Sequence, residues 1–342
     1  MFPMLAVVQS ARELPSLEVE AFHLGSDAPV EQRILAAAGI PSRPLAVHGL
    51  RGSNPAALAW NALGLARAVR PALRVMAEFA PDVVFTTGGY ASAPVVAAAR
   101  LRRTPTLLFS ADVAAGLAVR FEARLAQRIA VPVAEATAGL PAGRTFVSGY
   151  PVRPGLASLP AKDAAKEALG FAADRPLLLC FGGSQGARTL NQAITAGLDS
   201  LLAATQVLHL AGALDAASMA ARPGYRVEAF LEDMPTALAA ADLCVSRAGA
   251  STLGELPAAG VPAILVPYPY AGGHQQHNAE VLVRAGGAVL LPNDRAAEEL
   301  VPLALSLLGD AQRLARMSAA MTELSRPSAA RSLAEALLEL AA

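Results

Sequence analysis

Short runs of apolar residues that scarcely alternate with polar ones constrain this chain most: DVVF at 82–85, TLLF at 106–109, LLLCF at 177–181, DLCVS at 242–246 and AILVP at 263–267. A half-exposed strand alternates apolar and polar side chains, whereas an unalternating run suits a strand covered on both faces of a parallel sheet. Between the runs lie Ala/Leu/Arg segments at helical spacing, over 55–79, 187–204 and 275–285. Repeated strand–helix units predict an α/β fold with helices on both sheet faces. Each half carries a strand followed by a double glycine, VFTTGGY in the first and CFGGSQG in the second. The stretch GYPVRPGLASLP at 149–160, dense in proline and glycine, reads as the joint. The expected architecture is two Rossmann-like, doubly wound domains facing each other across a cleft. Residues 1–150 form the first and 151–326 the second, with a C-terminal helix over 327–342 rejoining the first.

Composition supports this and removes several classes. At 342 residues, 54% hydrophobic and 16% charged, the chain can bury a core and is not disordered. Lys+Arg 28 balances Asp+Glu 28, so no global field recruits nucleic acid. Cys180 and Cys244 cannot build a disulfide framework or a four-cysteine metal site; each sits in an apolar run and reads as a small buried thiol in a cytosolic setting. The uncharged stretch 256–273 is long enough to raise the question of a membrane span. It contains Pro257, Pro262, Pro267 and Pro269, which exclude a continuous helix. The N-terminus has neither a basic leader nor a cleavage pattern. The expectation is a soluble chain that at most touches a membrane surface.

The sharpest motif is LLLCFGGSQGARTLNQAI at 177–194. A buried strand ends at Phe181 and a helix begins near Ala187, so Gly182, Gly183 and Gly186 let the backbone approach a ligand while helix N-terminal amides face an anion. The Ser184 hydroxyl adds a donor, which suits a diphosphate. The third-glycine spacing of the dinucleotide fingerprint is absent, as is the Gly-Lys-Ser/Thr of a triphosphatase loop. The alternative is a plain strand–helix turn that uses glycine for its dihedrals. SRAGASTLGEL at 246–256 repeats the pattern and brings a second helix N-terminus to the same sheet edge, where ligands of open α/β sheets collect. Glu255 in that helix could take both ribose hydroxyls, or be an ordinary solvated charge. HQQHNAEVL at 274–282 offers Gln and Asn to sugar hydroxyls; His274 and His277 lack further ligands at metal-binding spacing, so no metal is expected.

Together these residues resemble the MurG family, the transferases that carry N-acetylglucosamine from UDP to undecaprenyl-diphospho-muramoyl-pentapeptide (lipid I) and make lipid II. The resemblance spans nearly the whole chain: GGSQGARTLN at 182–191, RAGASTLGEL at 247–256, GVPAILVPYPYA at 260–271 and HQQHNA at 274–279, in order and in register. PDVVFTTGGYASAP at 81–94 resembles the acceptor-domain glycine loop, and GYPVR at 149–153 the interdomain segment. The resemblance implies a GT-B glycosyltransferase in which residues 151–326 bind UDP-GlcNAc as co-substrate, with no cofactor. Gly182, Gly183, Ser184, Gln185 and Gly186 would hold the diphosphate, and Leu231 would abut the uracil. Arg247, Gly249, Ala250, Ser251, Thr252, Leu253, Gly254 and Glu255 would surround phosphate and ribose. Gln275 and Asn278 would meet the sugar, Gly88, Gly89 and Tyr90 would line the acceptor side, and Arg153 would sit at the cleft. The implied reaction inverts the anomeric carbon: the acceptor's 4-hydroxyl attacks and UDP leaves, its diphosphate stabilised by helix N-termini.

The acceptor half departs from the family pattern twice. Family members begin with a strand and a GGTGGH loop, whereas this chain starts MFPMLAVV, directly after that loop's position. A misplaced start is the expectation, because a central parallel strand is hard to omit. The family's HEQN stands here as Phe109-Ser110-Ala111-Asp112, which leaves Asp112 as a candidate base or sugar contact, or a helix cap. The catalytic base is therefore unassigned. In the 55–79 segment Leu58, Ala62, Leu65, Val69, Leu73 and Met76 form an apolar stripe beside Arg67, Arg70 and Arg74. That helix could lie on an anionic leaflet or face the core with solvated arginines, and Pro71 complicates it. The implied setting is the cytoplasmic face of the bacterial membrane, peripherally bound, beside other cell-wall enzymes. The rival readings are a transferase with diacylglycerol or another lipid acceptor, a non-catalytic UDP-sugar-binding scaffold, and an NDP-sugar epimerase.

Overall fold

The computed structural model describes residues 1–15, 18–25, 28–45, 55–183, 186–270 and 273–342, apart from the side chains of Val30 and of residues 55–63. The chain divides into two compact units, Met1–Arg153 with Ser328–Ala342, and Pro154–Pro327. The first holds β1 (His23–Gly25), β2 (Ser42–Pro44), β3 (Val84–Thr86), β4 (Thr106–Phe109), β5 (Arg128–Val131) and β6 (Thr145–Val147). The second holds β7 (Leu177–Phe181), β8 (Gln206–Leu210), β9 (Tyr225–Glu228), β10 (Leu243–Ser246), β11 (Ala263–Leu265) and β12 (Ala288–Leu290).

In the second unit all strands are parallel, in the order β12-β11-β10-β7-β8-β9. β7 comes first in the chain; β8 and β9 extend the sheet one way and β10 to β12 the other. That reversal between β7 and β10 is the topological switch point of a doubly wound sheet, outside whose carboxyl ends ligands bind. Leu178, Cys180 and Val245 bury their side chains on the face covered by Leu190, Ile194 and Leu300. Both cysteines are fully buried, and burial raises both thiols, Cys180 to about 12. They are the inert thiols that the apolar runs imply.

In the first unit β3-β4-β5-β6 form a parallel sheet and β1-β2 a separate parallel pair. Among the described residues β1 pairs with β2 alone and β3 with β4 alone, yet Leu24 of β1 and Val84 of β3 pack on one cluster, Ala72, Met76, Ala98 and Ala99. Both strands line one cavity of about 410 Å³. The Ala329–Ala341 helix packs on the Phe2–Arg12 helix, burying Leu333, Ala334 and Ala336, so both ends of the chain build this unit.

Two local expectations change. The segment read as one helix over 187–204 is two, Arg188–Ala196 and Leu198–Ala204. Gly197 lies between them, and a Cβ there would stand 2.6 Å from Val301 of the Ala296–Leu308 helix, so the break follows from close helix packing. Conversely, Pro55–Phe79 is a single helix that runs through Pro71, which stands on its exposed face. Met76 is buried and Val69 and Leu73 pack on the core, while Arg67, Arg70 and Arg74 are exposed. The described part of the stripe therefore faces the core; the side chains of Leu58 and Ala62 lie outside the described residues. Among the described residues no helix is long and apolar enough to cross a membrane.

Candidate functional site

The carboxyl ends of β7 and β10 lie side by side, with Phe181 opposite Ser246. The turn after β7 calls for glycine at three positions, two for close approach and one for its dihedral. A Cβ on Gly182 would stand 2.4 Å from the Ala187 nitrogen, and one on Gly186 2.2 Å from the Ala211 carbonyl oxygen. Gly183 has φ +85°, and its carbonyl accepts the Gly186 amide at 2.9 Å. The backbone thus folds tightly between the tips of β7 and β8. The Arg188–Ala196 helix then starts at Ala187 with no side-chain cap, which leaves first-turn amides for an outside acceptor. Ser184 and Gln185 fall outside the described residues.

The turn after β10 is similar. Gly249 accepts the Thr252 hydroxyl at 2.6 Å, and the Thr252–Ala259 helix begins at Ser251, again without a side-chain cap. Leu253, Gly254 and Glu255 are buried; Glu255, 6% exposed, is not the solvated helix charge that its type alone suggests. Ala250 and Ser251 are half-buried at the mouth of this turn.

Three side chains lock the neighbouring loops together. Arg247 Nη1 donates to the Val266 carbonyl at 3.1 Å and to Asn293 Oδ1 at 2.7 Å, and its guanidinium lies 5.5 Å from the Tyr268 ring centroid. It therefore ties the segments after β10, β11 and β12, and burial lowers its pKa. Asn278, fully buried, donates to the Ala248 carbonyl at 3.1 Å; Gln275 Oε1 accepts the Tyr268 amide at 2.9 Å. Both residues, read from sequence as sugar contacts, also hold the loops that shape the site. His277 Nδ1 is 3.0 Å from the Gly273 carbonyl. His274 and His277 both lie on the His274–Arg284 helix, and no three His, Cys, Asp or Glu side chains gather as a metal site among the described residues. Leu231 is half-buried in the segment between β9 and the Met234–Ala240 helix.

Sequence reasoning missed a buried network behind the first turn. Asn191 donates to the Ala211 carbonyl at 2.8 Å and to Asp215 at 2.7 Å, and its Oδ1 lies 3.0 Å from His209 Nε2. His209 Nδ1 is 3.0 Å from the Tyr225 hydroxyl. With Asn191 so oriented, the imidazole carries its proton on Nε2 and accepts from Tyr225. Burial drops the His209 pKa to about 4, so it is neutral, and the network pins the glycine-turn helix to β8.

The first unit has its own glycine turn at the carboxyl end of β3. Gly88 and Gly89 take φ +75° and +122°, and Tyr90 is half-buried beside them. A Cβ on Gly88 would stand 2.7 Å from Val119 Cγ2 of the Leu117–Leu125 helix. Glu122 of that helix, which sequence reasoning also missed, lies under the turn with no exposed surface. Ser92 Oγ donates to its Oε1 at 2.8 Å, Thr86 Oγ1 to its Oε2 at 3.3 Å, and the Gly89 amide also donates to it. Burial pushes the carboxyl up to about 7 against the pull of those bonds. Asp112, half-buried, follows β4 at the same sheet edge. The Arg153 guanidinium stacks 4.0 Å from the Phe2 ring centroid.

Residues 177–333 match the glycosyltransferase family 28 C-terminal domain, and residues 1–131 its N-terminal domain. A relative in Halorhodospira halophila is 39% identical over 337 residues, 96% of this chain and 91% of its own length. Another, in Desulfotalea psychrophila, is 37% identical and covers 93% of this chain and 87% of its own. Both are named UDP-N-acetylglucosamine–N-acetylmuramyl-(pentapeptide) pyrophosphoryl-undecaprenol N-acetylglucosamine transferase. The chain belongs to the MurG family. The solved MurG of Acinetobacter baumannii matches it with a TM-score of 0.76 at 27% identity, covering 99% of this chain and 95% of that one. The GT-B class of two Rossmann-like domains, expected from the strand–helix pattern and the MurG motifs, is thereby borne out, and the MurG motifs that are described cluster at strand carboxyl ends.

Proposed function

We infer that this chain is an inverting hexosyltransferase that moves N-acetylglucosamine from UDP-GlcNAc to the 4-hydroxyl of the muramoyl sugar of lipid I, forming lipid II for peptidoglycan. Carrying the reading is a structural coincidence in a chain with MurG relatives: the Arg188–Ala196 helix opens uncapped at the switch point, where a leaving diphosphate needs N–H donors, and the turn after β10 lies beside it. On this reading Pro154–Pro327 binds the donor. Gly182, Gly183 and Gly186 with Ser184 and Gln185 cradle the diphosphate, and Ala250 to Glu255 take phosphate and ribose. Leu231 covers the uracil, and Gln275 and Asn278 reach the sugar. The unit Met1–Arg153 with Ser328–Ala342 takes the lipid-linked acceptor at the Gly88–Gly89 turn, with Tyr90 beside it, and Arg153 is a further substrate contact. Asp112 is the candidate base for the hydroxyl proton, which must leave as the new bond forms.

On this reading the chain works on a lipid-linked acceptor at the cytoplasmic face of the membrane, held there peripherally. The exposed Arg67, Arg70 and Arg74 suit an anionic surface, and other cell-wall enzymes are its natural neighbours. The test is product analysis: the full chain with UDP-GlcNAc and lipid I is expected to yield UDP and the disaccharide lipid. UDP-GlcNAc binding without turnover would instead make the chain a scaffold. Transfer to diacylglycerol but not to lipid I would move it to another acceptor.

A further inference from the structure

Glu122 is a buried carboxyl whose hydrogen-bond partners are uncharged, an arrangement that costs stability and that an apolar side chain would avoid. Charged and titratable groups around it lie elsewhere. Arg120 and Arg124 of its own helix and Arg100 and Arg102 of the Ala93–Arg102 helix are exposed, and Arg120 Nε donates to the Ala115 carbonyl. Tyr90 belongs to the turn, and Asp112 to the segment after β4. Thr86 and Ser92 also line the cavity whose other walls carry Glu20, His23, Glu31 and the Met1 amine.

The decisive geometry is at Ser92. Its single hydroxyl hydrogen has two acceptors, Glu122 Oε1 at 2.8 Å and the Gly89 carbonyl at 2.9 Å. It cannot serve both well. An ionised carboxylate is the stronger acceptor and takes the hydrogen, which leaves the Gly89 carbonyl uncapped by Ser92. A neutral carboxyl donates its own hydrogen to Ser92 Oγ, and the hydroxyl then turns to the Gly89 carbonyl. The remaining bonds hold the turn in both states: Gly88 N–H to Thr86 Oγ1 at 3.1 Å, Thr86 to Glu122, and Gly89 N–H to Glu122.

We propose that Glu122 is a positioning residue for the acceptor, acting through Ser92: ionised, it opens the Gly89 carbonyl to a hydrogen-bond donor of the acceptor, and protonated, it closes that carbonyl. The proposal rests on the reading that the Gly88–Gly89 turn serves the acceptor. No covalent step is involved; the proton exchanges with solvent, and a carboxyl titrating near 7 divides its population between the two states around neutral pH.

The experiment is steady-state kinetics of the full chain between about pH 5.5 and 8.5, with UDP-GlcNAc and lipid I varied in turn, for the native protein, Glu122→Gln and Ser92→Ala. The native acceptor KM is expected to fall several-fold as pH rises through the carboxyl's titration, the donor KM staying flat. Glu122→Gln, a permanent mimic of the neutral acid, holds the high acceptor KM at every pH. Ser92→Ala, which cannot cap the carbonyl, holds the low one. A Glu122→Gln variant with the native acceptor KM and pH profile overturns the proposal. If the donor KM instead follows pH and both substitutions, the proton link stands and the acceptor assignment of this turn fails. Should a variant not fold, amide NMR of the native chain decides: Gly88 and Gly89 resonances that titrate with Glu122 support the proposal, and pH-independent ones overturn it.

Discussion

Glu122 carries a stability consequence separate from any role in binding. Its carboxyl titrates at about 7 in the folded chain against 4.5 in the open one, so the unfolded state releases its proton first as pH rises. The associated stability is fully present below about pH 4.5 and is lost as pH climbs through 7, by about 3 kcal/mol in all. Glu122→Gln should therefore unfold at a higher temperature than the native chain at pH 8 and at nearly the same temperature at pH 4.5; equal differences at both pH values would show that the carboxyl does not titrate as described. At Gly186, an alanine must displace the Ala211 carbonyl and adopt φ +73°, so Gly186→Ala should weaken UDP binding at least about tenfold by calorimetry. For Asp112→Asn the expectation is a kcat about 100-fold lower with an unchanged donor KM, and an unchanged kcat removes Asp112 from the reaction. The glycines were legible in sequence because their need is local: a strand, a sharp turn, a helix. Glu122 was not, because its surroundings come from Thr86 and Ser92, 36 and 30 positions away.

At the level of elements, the unalternating runs located strands well because burial on both faces leaves that signature. The 82–85 run shifted to β3, Val84–Thr86, and the 263–267 run shortened to β11, Ala263–Leu265, since backbone pairing and not hydropathy sets strand ends. The one-residue break at Gly197 was invisible because the neighbour packed against it, Val301, lies on a helix far along the chain. Helix Pro55–Phe79 was placed correctly, but its periodicity alone could not say which face meets the core. The described part of its apolar stripe packs inward, so any membrane contact through it rests on the exposed arginines. Replacing Arg67, Arg70 and Arg74 together by glutamate should abolish co-sedimentation with phosphatidylglycerol vesicles at low salt while leaving the unfolding temperature within a few degrees of native. Undiminished co-sedimentation would put the contact elsewhere.

Over the whole molecule, the two units differ in how they are closed. The second is one continuous six-stranded sheet. The first has two sheets whose open edges share a cavity, and it draws on both chain ends for its helical layer. Removing residues 328–342 uncovers the buried Leu333, Ala334 and Ala336 contacts with the first unit, at a cost of several kcal/mol. The truncated chain should lose lipid I transfer and the first unit's protection while still binding UDP; loss of UDP binding as well would mean that the units do not fold separately. The doubly wound class was legible from repeated strand–helix units. The strand order that creates the switch point was not, since crossovers leave no mark in the sequence. Hydrogen exchange of the full chain with and without UDP-GlcNAc asks whether this switch point holds the nucleotide. New protection is expected in the turns after β7 and β10 and in the first turn of the His274–Arg284 helix. Protection confined to the Gly88–Gly89 turn and the segment after β4 would contradict it.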